Sequence, residues 1–477
     1  MARMLCLPGG TKEINQFIGG YAYEGLSMVH CRQGEDSRCC EQEGTQVIFR
    51  GGLEMLMKKI YDIEDVPPLS KAVPLSFQHV FAMFGATILV PLLTKLDPSV
   101  TLFASGLGTL LFHLITRGKV PAYLGSSFAF IAPIIAASKA YGAQGAFTGM
   151  IAAGFIYLIV FGIIALVGLN WIERVLPSIV VGPVVMIIGL SLTPVAISEA
   201  SKGLLTAFVT AGIVVVANIF AKGFLKIIPI LLGTVGGYLF AITQGQVNFQ
   251  AINHAAWFAL PNLTIVTGHM PVLAWGAVSL IAPIAIATMV EDVGHLLVIG
   301  DTVGRDLMHK PGLHKVLLAN GVATMLAGFL GGVPETTYGE NIGVLAITRV
   351  FSSRVIQGAA VIAILLSFIE KVGAAIQTIP EPVLGGITII LYGMIASVGL
   401  RNLVENKVNL ASNRNLLIAS IIFTLGVGGI NIPIGHYSFQ GVGPAAVIGI
   451  LLNLVLPKEK SEPEEVKTSS GSGVSAD

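Results

Sequence analysis

The chain has 477 residues, of which 54% are hydrophobic and 12% charged, against roughly 25% charged in an ordinary soluble domain. Its 28 Lys and Arg nearly balance 27 Asp and Glu, so no basic field points to nucleic acid. A mean hydropathy of +0.80 excludes bulk disorder and implies that lipid solvates most of the surface.

Residues 1–54 differ from the rest: they are polar and aperiodic, and they hold all four cysteines, Cys6, Cys31, Cys39 and Cys40. That spacing is not one of zinc ligands, and no apolar stretch near Met1 suggests a signal peptide. Residues 1–56 are expected to be an N-terminal extension, either a disordered cytoplasmic tail or leader sequence read in frame. In the second reading translation starts at Met55 or Met57, where MKKIYDIEDVPPLSK reads as a bacterial cytoplasmic start.

From Val73 to Leu456 apolar runs recur at the length a helix needs to cross about 30 Å of hydrocarbon. The expected fold is an all-α polytopic membrane protein with fourteen segments, at 73–94, 100–116, 122–138, 144–168, 175–197, 204–221, 225–243, 272–297, 315–331, 334–348, 355–375, 380–399, 414–431 and 441–457. With the N-terminus in the cytoplasm, thirteen Lys and Arg fall in loops on that side, among them Arg117, Lys119, Arg174, Arg305 and Lys310. Only Lys95, Lys139, Lys202 and Lys371 fall opposite, the asymmetry the positive-inside rule predicts. The loop 244–271 lacks Lys and Arg and carries Trp257 and Phe258, as an external interfacial segment would. Residues 458–477 read as a disordered cytoplasmic tail.

Fourteen divides into seven and seven, and an odd repeat enters the membrane from opposite sides in its two halves. Such inverted repeats place a substrate at broken helices in matching positions. The third segment, PAYLGSSFAFIAP from Pro121, and the tenth, PETTYGENIG from Pro334, both begin at Pro. Both carry small polar residues and Gly where a lipid-facing helix wants Leu. Each is expected to run extended for about six residues and then turn helical. The two strands pair antiparallel near the midplane, and each half-helix aims its N-terminal N–H groups at the centre.

Acidic residues inside a membrane are functional by default. Glu340 sits at the break of the tenth segment. Glu291 lies in the eighth, four residues before His295, so the two share a helical face and the imidazole can orient the carboxylate. Asp292 points about 100° away and reads as a polar packing residue; His79 reads as a hydrogen-bonded packing residue too. No zinc motif and no Gly-x-Ser-x-Gly nucleophile is present, so an enzyme is not expected.

The run GENIGVLAITR (339–349) resembles the signature of the nucleobase/ascorbate transporters, with Glu340, Asn341, Gly343, Thr348 and Arg349 filling it. FQHVFAMFGATILVP (77–91), the third segment and TTYGENIG (336–343) are similar to its uracil permease branch. The resemblance implies a core of spans 1–4 and 8–11 and a gate of spans 5–7 and 12–14 within 57–457. It implies uracil bound by Glu291 and Glu340, with backbone N–H groups near Phe128 and Gly339 facing its carbonyl oxygens, Ser127 among the binding residues, and Tyr338 and Tyr392 beside the pocket. His295 is implied in coupling to protons, which serve as the coupling ion without any metal or cofactor. A homodimer in the cytoplasmic membrane is expected by the same resemblance. The pattern agrees with the chemistry of uracil: two ring N–H donors meet two carboxylates, and two carbonyls meet the half-helix amides. Two ionised carboxylates facing a neutral ligand repel, so one should carry a proton when loaded. A purine or xanthine symporter, or an anion transporter of the same architecture, are the alternatives.

Overall fold

The computed structural model describes residues 59–457 apart from 169, 170, 172–174, 435 and 436. The N-terminal extension with its cysteines, Arg174 and the 458–477 tail lie outside the described residues. In chain order the first long helices are α1 (Leu69–Thr94) and α2 (Pro98–Ile115). Strand β1 (Leu124–Ser126) and a 3₁₀ turn (Phe128–Phe130) lead into α3 (Ile131–Val167). Helices α4 (Ser178–Ser191), α5 (Thr193–Ser201), α6 (Leu204–Phe220) and α7 (Pro229–Thr243) follow. After two short helical turns come α8 (Trp275–Ile281), α9 (Ile284–Val303) and α10 (Leu313–Leu330). Strand β2 (Glu335–Thr337) opens into α11 (Gly339–Thr348). The rest is α12 (Ser353–Ser367), α13 (Glu370–Gln377), α14 (Glu381–Glu405), α15 (Asn413–Val427), the hairpin β3 (Asn431–Ile434) and β4 (Tyr437–Gln440), and α16 (Val442–Val455).

The chain is a mostly helical, multi-pass membrane protein. Its outward surface is apolar: Leu166 is 88% exposed, Phe208 71% and Phe220 72%, which only lipid solvates at low cost. Its polar groups lie inside, where Thr87, Thr109, Asp292 and Thr388 are wholly buried. Among the described residues, seven helices are long and apolar enough to cross a membrane, eight if α12 and α13 count as one. The apolar helices α6, α7, α15 and α16 are shorter, so fourteen full-length crossings are not reached on length alone. One expectation needs correction: the eleventh segment is not continuous but turns by 81° between α12 and α13. A hairpin, β3–β4, lies between the last two segments.

The helices pack in two groups. Helix α3 lies against α8 and α10, α2 against α10 and α12, and α1 against α12; separately, α14 lies against α4, α5 and α6, and α15 against α4 and α16. The loops fall into two sets as well. On one end Tyr61 bridges Val350, Arg305 pairs with Asp62 and Glu64, and Ser353 Oγ donates to the Gly118 carbonyl at 2.7 Å. On the other, Asn262 donates to Asp97, Lys371 to the Ile252 carbonyl, and Lys202 pairs with Glu381. These are the two loop sets that the count of Lys and Arg separates.

At the centre, β1 and β2 pair antiparallel in the register Leu124–Thr337, Gly125–Thr336, Ser126–Glu335. The expected pairing is present, though each strand is three residues rather than six. The ladder ends symmetrically: Ser127 N–H donates to the Pro334 carbonyl and Tyr338 N–H to the Tyr123 carbonyl, both at 2.9 Å. Backbone polar groups buried in a membrane protein must find partners, and here two threonines on helices supply them. Thr109 of α2 bonds the N–H and the carbonyl of Leu124, and Thr324 of α10 does the same for Glu335. Beyond β1, α3 breaks at Gly142 (φ 72°), a conformation open to Gly. The break leaves a half-helix of about ten residues after β1, comparable with the ten of α11.

Candidate functional site

Each strand passes to its half-helix through one extended residue, Ser127 (φ −80°, ψ 125°) and Tyr338 (φ −94°, ψ 123°). Neither side chain caps the helix it precedes, so N–H groups at the start of both half-helices, those of Phe128 and Gly339 among them, are open to a ligand. The residues at those termini remain partly or fully open: Phe128 and Glu340 are half-buried and Gly339 is exposed.

Helix α9 packs against this junction, touching the Phe128–Phe130 turn, β2 and α11. Asp292 fastens it. One carboxylate oxygen accepts from Tyr157 Oη at 2.8 Å; the other accepts from Thr336 Oγ1 at 2.9 Å, Thr337 Oγ1 at 3.0 Å and Thr337 N–H at 3.2 Å. With Asp292 held there, Glu291 and His295 turn to the neighbouring face. Thr337 Oγ1 has one hydrogen, and Asp292 can only accept it. The hydroxyl must therefore accept from His295 Nδ1, 3.0 Å away. This assigns the proton of a neutral imidazole to Nδ1 and leaves Nε2 as an acceptor beside Gly339, where an added Cβ would lie 3.3 Å from it. The relay runs His295 to Thr337 to Asp292; the imidazole is oriented by Thr337 and not by Glu291.

Glu291 is exposed and lies within electrostatic range of Glu340. Glu340 lines a cavity of about 200 Å³. The same cavity is lined by Ile387, Leu391 and Met394 of α14, Ile230 and Leu231 of α7, and by Asn218 and Lys226. Ala82 and Ala86 of α1 form the floor. The volume is below the about 300–1,000 Å³ of drug-sized sites and suits a molecule of one ring.

The structure thus brings Glu291, His295, Phe128, Gly339 and Glu340 to one junction, with Glu340 alone of these on the cavity lining. The remaining three do not line the cavity. Tyr338 is a packing residue: its ring covers Gly125, where a Cβ would run into it, and its hydroxyl donates to the Ser126 carbonyl at 3.1 Å. Ser127 is buried with its hydroxyl unpartnered. Tyr392 is not on the cavity lining, and its hydroxyl is buried without a hydrogen-bond partner among the described residues.

The other signature residues now have physical roles. Asn341 donates to the His79 carbonyl and lies 3.1 Å from His79 Nδ1, latching α11 to α1. Arg349 closes α11 in the left-handed conformation (φ 55°), its N–H returning to the Leu345 carbonyl. Sequence reasoning did not find Thr337 as the link between Asp292 and His295. The signal was present as two threonines in a strand that must cross a membrane, where each hydroxyl needs an acceptor.

A helical bundle with two paired broken segments, uncapped half-helix termini and acids in its interior defines a membrane transporter. The "Permease family" model matches residues 70–435, and the chain belongs to that family, the nucleobase/ascorbate transporters. Among its curated relatives, the uracil permease of Bacillus caldolyticus is 48% identical over 421 residues, covering 86% of this chain and 97% of the relative. The uracil permease of Escherichia coli strain K12 is 42% identical over 423 residues, covering 86% and 97%. Solved structures share the fold at low identity. Murine Slc26a9, an anion transporter solved in the inward-facing state, gives a TM-score of 0.62 at 12% identity over 90% of this chain and 76% of that one. The transmembrane domain of the cyanobacterial bicarbonate transporter BicA gives 0.53 at 15% identity over 83% and 99%.

Proposed function

We propose that this protein is a uracil permease that carries uracil inward with a proton, moving a core group of helices against a gate group. The observation that carries the reading is the junction itself: two uncapped half-helix termini offer N–H donors beside two carboxylates, Glu291 and Glu340. Uracil presents the complementary set, two ring N–H donors and two carbonyl acceptors. A mismatch in a dry pocket leaves a polar group unpaired at about 1–3 kcal/mol. In this reading Glu291 and Glu340 accept from the ring nitrogens, amides near Phe128 and Gly339 donate to the carbonyl oxygens, and the coupled proton resides on the carboxylate pair or His295.

The core is spans 1–4 and 8–11, and the gate spans 5–7 and 12–14, in two inverted repeats of seven. The matching ladder ends and the paired roles of Thr109 and Thr324 support that symmetry. Both termini are cytoplasmic in a bacterial-type membrane, since the Lys- and Arg-rich loops share one end, and a homodimer is the expected assembly. The fold neighbours transport anions, but two acids at the junction would repel an anion here.

Competition of labelled uracil uptake by unlabelled uracil, xanthine and adenine, with and without a protonophore, tests the reading. Uracil alone should compete, and the protonophore should stop accumulation. Glu291→Ala and Glu340→Ala should each abolish saturable uptake while the protein still inserts. Preference for xanthine would move the substrate to the purines, and uptake by either variant at the parent rate would remove that residue from the site.

A further inference from the structure

At the Lys- and Arg-rich end, away from the substrate junction, a second cavity of about 180 Å³ opens between the end of α2 and the start of α10. It is lined by Thr116, Arg117, Lys119, His309, Lys310, Pro311 and Lys315, with no acid among them. Three acids of this end are already engaged, one of them, Asp306, with His309 of the lining itself. Asp62 and Glu64 hold Arg305 at 3.1 and 2.6 Å, and Asp306 accepts from His309 Nδ1 at 2.7 Å. Arg117, Lys119, Lys310 and Lys315 have no ion pair among the described residues.

A loop rich in Lys and Arg is what membrane orientation alone selects, but orientation does not require its cations to converge on one hollow. Four cations around 180 Å³ repel one another unless an anion lies between them. Three of the four are not equivalent to guanidinium forks: lysines are compact point charges, suited to the several oxygens of a phosphate more than to a flat carboxylate. We propose that this cavity binds a phosphate-bearing anion, either the headgroup of an anionic phospholipid or a soluble phosphate monoester. The bound phosphate would bridge α2 to α10, the two helices whose Thr109 and Thr324 satisfy the outer edges of β1 and β2. It would brace the strand junction without touching substrate. Basic pockets between membrane helices hold phospholipid headgroups elsewhere by the same electrostatics.

The test uses the full-length purified protein and two probes. One arm measures thermal stabilisation in detergent by inorganic phosphate and by glycerol 3-phosphate. The other measures phosphatidylglycerol retained, by native mass spectrometry, from nanodiscs of phosphatidylcholine with phosphatidylglycerol. Binding in the first arm assigns a soluble phosphate, and binding in the second assigns a lipid headgroup. Each Lys→Gln change at 119, 310 or 315 should weaken that binding about fivefold and the triple variant about a hundredfold. Lys222→Gln, a change outside the cavity, should leave it unaltered. If the triple variant does not fold, Lys119→Gln alone carries the comparison. Binding in neither arm, or equal binding by parent and variants, overturns the proposal and leaves these cations to membrane orientation alone.

Discussion

Thr337→Val removes one hydroxyl and cuts the relay from His295 to Asp292 with almost no change in volume. Asp292 keeps Tyr157 Oη, Thr336 Oγ1 and the Thr337 N–H, so it loses one of four donors. A hydrogen bond to a charged acceptor contributes about 1.5–3 kcal/mol. The remaining three relax to share the loss, so the low end of that range applies. His295 Nδ1–H loses its acceptor at 3.0 Å, and an unpaired buried donor costs about 1–3 kcal/mol. The imidazole therefore turns to find water or changes tautomer, and Nε2 leaves its place beside Gly339. The combined cost of about 2.5–4.5 kcal/mol corresponds to a loss of about seventyfold to about two-thousandfold. It should appear as reduced initial uracil uptake at matched amounts of inserted protein. Thr337→Ser keeps the hydroxyl and should retain most of the parent rate. Parent-like uptake by the valine variant would refute the relay, as would equal loss in both variants.

Two further perturbations probe the frame. Gly125→Ala drives a methyl into the Tyr338 ring that covers it; overpacking costs about 1–3 kcal/mol, and the melting temperature in detergent should fall, whereas an unchanged value would mean that the ring does not sit there. The chain from Ile60 to Asp65 is bonded to the α11–α12 loop through Arg349, Phe351 and Ser353 and held to Arg305 by Asp62 and Glu64. The hydrogen bond from Arg305 holds the Glu64 carboxyl below the usual carboxylate range. For Asp62, burial works against the charge, but the Ile63 N–H and Arg305 outweigh it and the value is also lowered. Stability from depressed carboxyls is present above the ordinary value of about 4 and lost as pH falls through the folded values. Amide exchange at Phe351 and Ser353 should thus be flat from pH 5 to 8, after correction for intrinsic rates, and rise only below about pH 4. Glu64 is 60% exposed, so Arg305→Gln should cost less than about 1 kcal/mol; a rise in exchange already near pH 6 would contradict the assignment.

Much of the frame was legible because a membrane imposes few solutions. Apolar length located the helices, and matched Pro-initiated polar stretches located β1 and β2, since extended backbone in lipid is tolerated only when paired. Glu340 was legible as an acid where a membrane segment breaks. Other features depend on packing that no local pattern encodes. The bend between α12 and α13 sits in an apolar run that reads as a continuous helix. The hairpin β3–β4 carries Pro433 within a strand, which argues against a strand in sequence terms. Whether Tyr392 lined the cavity depended on the rotation of α14, and its neighbour Leu391 took the lining position. The partner of His295 was misjudged because helical spacing put Glu291 four residues away, while the strand brought Thr337 closer across the fold.

The most direct measurement is competition of labelled uracil uptake by analogues altered one edge at a time. If the two carboxylates accept from the ring nitrogens and the half-helix amides donate to the oxygens, 1-methyluracil and 3-methyluracil should each bind at least about tenfold more weakly than uracil, as loss of one hydrogen bond to a charged acceptor requires. Methylated analogues that compete as well as uracil would contradict the central claim.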